Sequence, residues 1–175
     1  MKENIAVFGG GCFWCTEAIF SRLKGVHQVV PGYCGGHVEN PRYEEVKAEK
    51  TGHIEVIKIT FDPTVISYGE LLEVFFNTHD PTTVNRQGED VGSQYASVIF
   101  AQNEEQAQLA VEVKDKIQTE FEAPIVTKIL PAETFWTAEE YHHRYFEQHP
   151  NQAYCSLVIA QKVQKFMQKY ADKLK

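Results

Sequence analysis

An apolar segment that runs into three glycines and then a cysteine is the feature that most constrains how this chain can fold. Ile5–Phe8 is a short apolar run, typical of a buried strand, and Gly9-Gly10-Gly11 ends it in a tight turn. Apolar residues then recur at helical spacing from Cys12 to Leu23. The segment therefore predicts a strand, a turn and a helix, with Cys12 where the helix starts.

The strands and helices that follow indicate the fold class. In chain order the pattern predicts a strand at 26–33, a strand at 53–61, a helix from Ser67, an irregular loop at 78–93, a strand at 95–100, a helix at 103–122, a strand at 125–130, a helical stretch at 139–147 and an amphipathic stretch after Cys155. This order predicts an α+β fold with a ferredoxin-like (split βαβ) kernel, a mixed or antiparallel sheet, extra helices and an irregular C-terminal tail. We expect residues 1–175 to form one domain, with a mobile segment at about 148–175.

The composition excludes several classes of partner. The formal charge is -7 and no Lys/Arg run forms a basic patch, which argues against nucleic acid or an anionic membrane as a partner. No apolar run is long enough for a transmembrane helix or a secretory signal. We therefore expect a soluble, cytoplasmic protein.

Cysteine chemistry is the strongest functional signal that the residues themselves carry. The chain has four cysteines, which are Cys12, Cys15, Cys34 and Cys155. A thiol at a helix N-terminus faces free backbone N–H groups, which predicts a pKa lowered from about 8.5 toward or below neutrality. Cys12 as a small buried core residue is the alternative. Phe13 and Trp14 cannot both pack behind the helix, so at least one should line a pocket beside Cys12.

Seven sequence blocks point to one enzyme family. They are Gly10-Gly-Cys-Phe-Trp14, Gly32-Tyr-Cys-Gly-Gly36, the segment 40–46, Thr51-Gly-His-Ile-Glu55, His79-Asp-Pro81, the segment 87–95 and Tyr141-His142. In this order they resemble the peptide methionine sulfoxide reductase A family, from about Ile5 to Cys155. The resemblance implies a peptide-methionine (S)-S-oxide reductase that acts on methionine sulfoxide, free or in oxidised proteins. It also implies no cofactor and no metal, with thioredoxin as the external reductant.

The resemblance assigns roles to residues that would otherwise be read differently. It implies that Cys12 is the nucleophile and that Glu55 protonates the sulfoxide oxygen, whereas the strand pattern alone favours a solvated Glu55. It implies that the hydroxyls of Tyr43 and Tyr95 point at the same oxygen, although both could be packing residues.

Two further roles follow from the same resemblance. Asp90 would help to hold the hydrogen bonds of the site, although it could equally be a turn residue. Phe13 and Trp14 would form the pocket for the S-methyl group.

A second thiol must convert the Cys12 sulfenic acid to a disulfide. Cys155 resembles the C-terminal resolving cysteine of the family, carried on a mobile tail, and is the favoured candidate. Cys15 is the alternative, and Cys34 is expected to be inert.

Two other function classes share part of this cysteine pattern. The pair Cys12-x-x-Cys15 also suggests a general thiol–disulfide oxidoreductase, but the set around Glu55 would then have no purpose. A zinc-binding interaction module would use these cysteines with His142, His143 or His149, but the histidines follow no finger spacing.

Overall fold

The computed structural model describes residues 4–149, 151–153 and 155–175, without the side chains of Cys155 and Ser156. The strands are β1 Asn4–Gly10, β2 Val26–Cys34, β3 Ile54–Phe61, β4 Arg86–Gln87, β5 Asp90–Val91, β6 Ser97–Ala101, β7 Lys128–Pro131 and β8 Trp136–Thr137. The α-helices are α1 Phe13–Phe20, α2 Tyr43–Lys47, α3 Tyr68–Thr78, α4 Glu104–Ile117, α5 Tyr145–Gln148 and α6 Ala160–Lys169. Short 3-10 turns at Ser93–Tyr95, Gln118–Glu120, Glu140–His142 and Ala171–Lys173 and a π-helical turn at Cys155–Ile159 complete the described elements.

Six of the strands form one sheet in the order β7-β6-β1-β3-β2-β8. The pairs β6/β1, β1/β3, β3/β2 and β2/β8 are antiparallel, and β6/β7 is parallel. β3 lies between β1 and β2, so the β1–α1–β2 unit is split by a third strand. The prediction of an α+β fold with a mixed sheet is confirmed.

The main core lies between one face of the sheet and the helices. Phe8 of β1 and Ile57 and Ile59 of β3 are fully buried there, together with side chains from α1, α3, α4 and α6. A smaller cluster contains Val7 and Cys34 among its five buried residues. Successive residues of a strand point to opposite faces of the sheet. Because both faces of β1 and β3 are buried, these two strands are almost continuously apolar.

α3 begins as the sequence predicts. The Ser67 hydroxyl accepts a hydrogen bond from the Glu70 N–H at 3.1 Å, and the Glu70 carboxylate accepts one from the Ser67 N–H at 3.2 Å. This capping box satisfies two of the N–H groups that a helix start leaves unpaired.

The prediction of an irregular C-terminal tail is wrong, because the described part of that segment is helical. In α6, Val163 and Phe166 are buried, and Tyr170 follows at the same face. Spacings of three and four residues bring these side chains to one side of a helix, which can then pack on the core. Leu174 forms a β-bridge with Leu23, just beyond α1.

Candidate active site

The turn before α1 fixes the position of Cys12. Gly11 has φ +94°, and a Cβ there would lie 2.5 Å from the buried side chain of Gln87. Only glycine fits both the left-handed backbone and this close approach. The Cys12 carbonyl accepts hydrogen bonds from the N–H groups of Cys15 at 3.1 Å and Thr16 at 3.4 Å, so Cys12 caps the helix as predicted.

The environment of the Cys12 thiol differs from the sequence prediction. The residue is 8% exposed, and burial raises its pKa well above the ordinary value. A hydrogen bond with Cys15 and the nearby charges of Cys15 and Glu55 raise this pKa further, while the N–H of Trp14 lowers it. The predicted lowering of the pKa is therefore wrong, because desolvation outweighs the helix N-terminus. Burial thus favours the protonated form of the Cys12 thiol.

Glu55 extends from β3 to the start of α1. Its Oε1 accepts a hydrogen bond from the Phe13 N–H at 3.1 Å, and the residue is 1% exposed. Burial raises the pKa of Glu55 to about 8, against the opposing effect of the Phe13 N–H, and the charge of Asp90 adds to the rise. Near pH 7 this carboxyl group is mostly protonated and can donate a proton.

Tyr43, Tyr95 and Asp90 converge on the same region from three separate elements. Tyr43 is the first residue of α2, Tyr95 ends the 3-10 turn 93–95, and Asp90 lies in β5. Burial raises the pKa of both tyrosines, and the neighbouring charges of Glu55 and Cys12 raise them further. Both phenols stay protonated and can donate hydrogen bonds.

Aromatic rings form one wall of the site. The Phe13 ring is fully buried, 6.4 Å from the Tyr43 ring between centroids. The half-buried Trp14 ring stacks on Tyr145 at 3.9 Å with an interplanar angle of 7°. Such a wall offers dispersion contacts and no strong hydrogen-bond acceptor, which suits a methyl group.

His142 is a site residue whose role the sequence analysis did not identify. Its Nδ1 accepts a hydrogen bond from the Trp14 indole N–H at 3.0 Å, and its ring centroid lies 4.4 Å from that of Tyr43. The ring is fully buried, and burial lowers its pKa to about 4, so it is neutral and able to accept. The block Tyr141-His142 was the available signal, but nothing local in the sequence ties this histidine to Trp14.

Two carboxylates, the half-buried Glu139 and the buried Glu17, hold the surrounding backbone. Glu139 accepts hydrogen bonds from the Tyr43 N–H at 2.9 Å and from the Tyr33 hydroxyl at 2.8 Å. Both oxygens of Glu17, which is 3% exposed, accept from the Arg144 N–H at 2.8 and 2.9 Å. Arg144 has φ +55° and precedes α5, so Glu17 fixes the point from which Tyr145 reaches Trp14.

The remaining cysteines have different surroundings. Cys15 is buried, and the Lys162 Nζ lies 3.9 Å from its Sγ. Cys34 belongs to the smaller core cluster, and burial raises its pKa to about 11. The predicted resolving thiol, that of Cys155, lies outside the described side chains.

The histidines named for a zinc site are separated in the fold. His143 contacts the Ala138 carbonyl oxygen at 2.9 Å through Nε2, whereas His142 contacts Trp14. Across the described ranges, no group of three or more His, Cys, Asp or Glu side chains is placed to hold a metal ion.

In the part of the chain that the structure covers, no helix is both long and apolar enough to cross a bilayer.

Comparison with known proteins gives a consistent result. The family model described as peptide methionine sulfoxide reductase matches residues 4–175. The chain is 56% identical over 170 residues to the peptide methionine sulfoxide reductase MsrA of Sulfolobus acidocaldarius, covering 97% of each chain. It is 53% identical over 165 residues to the protein of that name from Thermus thermophilus, covering 94% of each.

Solved structures agree with the sequence comparison. Reduced Mxr1 from Saccharomyces cerevisiae superposes with a TM-score of 0.80 at 32% identity, over 86% of this chain and 88% of that one. Mxr1 in complex with Trx2 superposes with a TM-score of 0.58 at 26% identity, over 82% and 85% of the two chains.

Proposed function

The chain belongs to the peptide methionine sulfoxide reductase family, and from this membership we propose how its residues share the reaction. The enzyme reduces methionine S-sulfoxide to methionine with its own thiols, and thioredoxin recycles it. This is a repair activity against oxidative damage to methionine. The division of labour among the residues is our proposal.

One observation carries the proposal: a buried carboxyl group, that of Glu55, lies at the start of the helix that Cys12 caps. A sulfoxide oxygen leaves sulfur only when it has been protonated, so the site needs an acid beside the nucleophile. Glu55, with its pKa of about 8, supplies that acid near neutral pH. Cys12 supplies the nucleophile.

The first step moves one oxygen atom from the substrate to the enzyme. Glu55 protonates the sulfoxide oxygen, and the Cys12 sulfur attacks the substrate sulfur to form a sulfur–sulfur bond. The sulfur–oxygen bond of the substrate then breaks as the hydroxyl passes to the Cys12 sulfur, and the sulfur–sulfur bond breaks with its electron pair left on the substrate sulfur. The net products are methionine and the sulfenic acid of Cys12. The substrate sulfur is reduced by two electrons, and the Cys12 sulfur is oxidised by two.

The raised pKa of Cys12 is compatible with this step because the substrate changes the local charge. As the oxygen takes the proton from Glu55, the substrate sulfur becomes more positive. A positive centre against Cys12 stabilises the thiolate, which burial disfavours in the ligand-free site. The nucleophile is thus formed when the substrate is bound.

Tyr43, Tyr95 and Asp90 orient the oxygen. The protonated phenols of Tyr43 and Tyr95 donate hydrogen bonds to the sulfoxide oxygen, where negative charge is concentrated. The charge of Asp90 raises the pKa of Glu55, which favours the protonated form of the Glu55 carboxyl group. Phe13 and Trp14 receive the S-methyl group, and His142 holds the Trp14 indole in place.

Recycling needs a second thiol. We propose Cys155 as the thiol that presents a disulfide to thioredoxin, on the strength of its resemblance to the family's resolving cysteine. Cys15, which is buried in the same core cluster as Cys12, is the alternative. We place Cys34 outside the relay, because its side chain is buried in the smaller core cluster and not in the one that contains Cys12.

Several broader proposals accompany this one. Residues 1–175 act as one domain, and the strand order β6-β1-β3-β2 supports a ferredoxin-like description of its kernel. A cytoplasmic location would keep cysteines such as Cys12, Cys15 and Cys34, which are free among the described side chains, reduced, and suits recycling by thioredoxin. The thiol chemistry needs no cofactor, and the substrate is methionine sulfoxide, free or within oxidised proteins.

A single-turnover experiment without reductant tests the proposal. When the enzyme is mixed with excess methionine S-sulfoxide, the Cys12 thiol of each active site should reduce about one sulfoxide, so about one methionine is released per site. Peptide mapping should then find Cys12 oxidised, either as a sulfenic acid trapped by a 1,3-diketone or within a disulfide. Methionine formation with an unmodified Cys12 would refute the assignment.

A further inference from the structure

Gln87 is a buried polar residue in a hairpin that is otherwise exposed around it. The strands β4 and β5 form a two-stranded sheet that is separate from the six-stranded one. Gln87 is 4% exposed, whereas Arg86, Gly88 and Glu89 on either side of it are exposed. Burial of an amide is unfavourable unless its polar atoms are hydrogen-bonded, so a glutamine in this position needs partners.

Both polar ends of the Gln87 amide bind the same residue. Its Oε1 accepts a hydrogen bond from the Asp80 N–H at 2.9 Å, and its Nε2 donates a hydrogen bond to the Asp80 carbonyl oxygen. Asp80 lies just beyond the end of α3. The two hydrogen bonds therefore attach the hairpin to the loop that follows α3.

The aliphatic part of the Gln87 side chain lies against the turn before Cys12. A Cβ at Gly11 would lie 2.5 Å from the Gln87 Cγ and 2.8 Å from its Cβ, so the two residues are in close contact. Gly11 is buried and directly precedes Cys12 in the chain. One side chain thus contacts the turn that carries the nucleophile and also binds Asp80.

The backbone of Gln87 connects this anchor to Asp90. The two residues lie directly opposite each other in the β4/β5 pair. A two-stranded hairpin is marginally stable at best by itself, so its position depends on the contacts that attach it to the rest of the protein. The Ser93 N–H, just beyond β5, donates to the Glu49 carboxylate at 2.9 Å, but Glu49 is exposed. Gln87 provides a buried attachment.

We propose that Gln87 is a positioning residue for sulfoxide reduction, which holds the β4–β5 hairpin, and with it Asp90, beside the turn that carries Cys12. The proposal rests on the proposed function, because Asp90 acts on the reaction through Glu55. The Gln87 amide does not titrate, so its effect on the reaction comes from where it places Asp90.

The charge of Asp90 makes its position important for the chemistry. Burial is the main cause of the raised pKa of Glu55, and the charge of Asp90 raises this pKa further. A Coulomb interaction weakens with distance, so displacement of Asp90 would lower the pKa of Glu55.

Other titratable groups also face Glu55. Together with Asp90 on β5 they are Cys12 and Cys15 on α1, Tyr33 on β2, Tyr43 and Lys47 on α2, and Tyr95 on the 3-10 turn 93–95. Of this set, Asp90 is the member that the hairpin carries, so loss of the Gln87 anchor should act mainly through Asp90.

The experiment compares Gln87→Leu with the parent enzyme in single-turnover reduction of methionine S-sulfoxide. Leucine still covers Gly11 with an apolar side chain but cannot form the two hydrogen bonds to Asp80. The rate of the parent should fall as Glu55 loses its proton, near pH 8. In the variant Glu55 should lose its proton more easily, so we expect this fall about half a pH unit lower. Rapid-quench measurement of methionine formation from about pH 6 to about pH 10 gives both profiles.

The variant Asp90→Asn shows whether the effect passes through Asp90. Because it removes the charge, Asp90→Asn alone should move the fall in rate in the same direction as Gln87→Leu. The double variant should have the pH profile of Asp90→Asn alone, since Gln87 then has no charge to position. Two shifts that add would mean that Gln87 acts independently of Asp90, and would overturn the proposal.

Thr82→Ala is the matched control for general damage to this loop. It removes the hydrogen bond from the Thr82 hydroxyl to the Asp80 carboxylate and keeps the two bonds between Asp80 and Gln87. Its pH profile should match that of the parent, even where its thermal unfolding temperature, followed by circular dichroism, is lower. If Gln87→Leu does not fold, Gln87→Met, with an unbranched side chain, is measured in its place.

Two further results would contradict the proposal. A Gln87→Leu protein with lower thermal stability but the pH profile of the parent would show a purely structural role for Gln87, and would leave the proposed function intact. A parent enzyme whose rate does not fall near pH 8 would refute Glu55 as the acid in the proposed function, and the role of Gln87 with it.

Discussion

Cys12 and Glu55 show at the residue scale how burial sets the chemistry of the site. A helix N-terminus lowers the pKa of a thiol, yet burial raises that of Cys12 well above its ordinary value. The same burial raises the pKa of Glu55 to about 8. Burial therefore favours the protonated forms of both Cys12 and Glu55, and we propose that Glu55 is the acid for the substrate oxygen.

The first step should lose speed as the pH rises through about 8. A carboxylic acid with a raised pKa donates its proton below that pKa and is an unreactive carboxylate above it, so the rate falls with increasing pH. Deprotonation of Cys12 would give the opposite slope. Rapid-quench measurement of methionine formation from pH 6 to about 10 checks the direction.

Glu55→Gln provides the matched variant for this pH dependence. The amide cannot protonate the leaving oxygen, so single-turnover formation of methionine should slow by about 10² to 10⁴. The decrease in rate around pH 8 should also vanish. If the variant kept that decrease, another group would be the acid.

Cys12→Ser should abolish methionine formation in a single turnover. A hydroxyl is far less nucleophilic than a thiolate near neutral pH, and Glu55 alone cannot take the oxygen. Because serine is close in size to cysteine, the fold should be kept, and circular dichroism serves as the control. Residual turnover at the wild-type rate would remove Cys12 from the mechanism.

At the scale of elements, α1 and α5 are joined through Glu17. Its carboxylate accepts twice from the Arg144 N–H, and α5 in turn places Tyr145 against Trp14. The pocket wall therefore depends on a contact between two helices far apart in sequence. Removing this acceptor takes away the hydrogen-bond partner of the Arg144 N–H, which costs about 0.5–1.5 kcal/mol.

The variant Glu17→Ala should thus weaken substrate binding more than it slows the chemical step. We expect KM for methionine sulfoxide to rise roughly three- to tenfold, with kcat within about twofold, as expected when binding common to ground and transition states is lost. Trp14 fluorescence, measured in a Trp136→Phe background, should change as the stack with Tyr145 loosens. Glu147→Gln, which breaks only the exposed pair with Arg22, is the control and should change neither parameter.

The same contact explains where prediction of the elements failed. The sequence predicts one helical stretch at 139–147, but the structure has a 3-10 turn at Glu140–His142 and a separate α5. The break is the left-handed Arg144, which Glu17 holds from another helix. Local sequence patterns predicted the long strands and α3 because the burial and capping of these elements depend on residues close together in the chain. Such patterns could not predict a helix break that depends on a residue far away in the sequence.

At the scale of the whole molecule, the site combines residues from the main sheet, the loop before β6 and the α5 region. The position of Cys12 at a helix N-terminus was predictable from the three glycines before it and the helical pattern after it. Glu55 was not, because its strand pattern suggests solvent exposure, and it becomes buried only where β3, paired with β2, brings it to the start of α1. Family resemblance supplied what local chemistry could not.

The arrangement of the site predicts that one sulfoxide epimer is consumed. With the methyl group against Phe13 and Trp14 and the oxygen at Glu55, only one direction remains for the rest of the side chain. Purified enzyme should therefore reduce the S epimer and leave the R epimer untouched, as chiral chromatography of a racemic mixture would show. Similar rates for both epimers would contradict the pocket assignment.

The variant Cys155→Ser should separate reduction of the sulfoxide from recycling of the enzyme by thioredoxin. This variant should still convert about one sulfoxide per site, since attack by Cys12 does not use Cys155. Turnover with thioredoxin and its reductase should collapse, because the remaining oxidised sulfurs are buried. Near-normal thioredoxin-dependent turnover would transfer the role of Cys155 to Cys15.

The glycine run before Cys12 also limits how the enzyme could be adapted as a biocatalyst for bulkier sulfoxides. A Cβ at Gly11 would lie 2.5 Å from Gln87, so the turn before Cys12 has no room for a side chain. Replacing this glycine would disturb the turn and would not broaden the substrate scope. Extra room for an aryl group has to come from the aromatic wall, where Trp14 and Tyr145 lie on helices and not in the sheet.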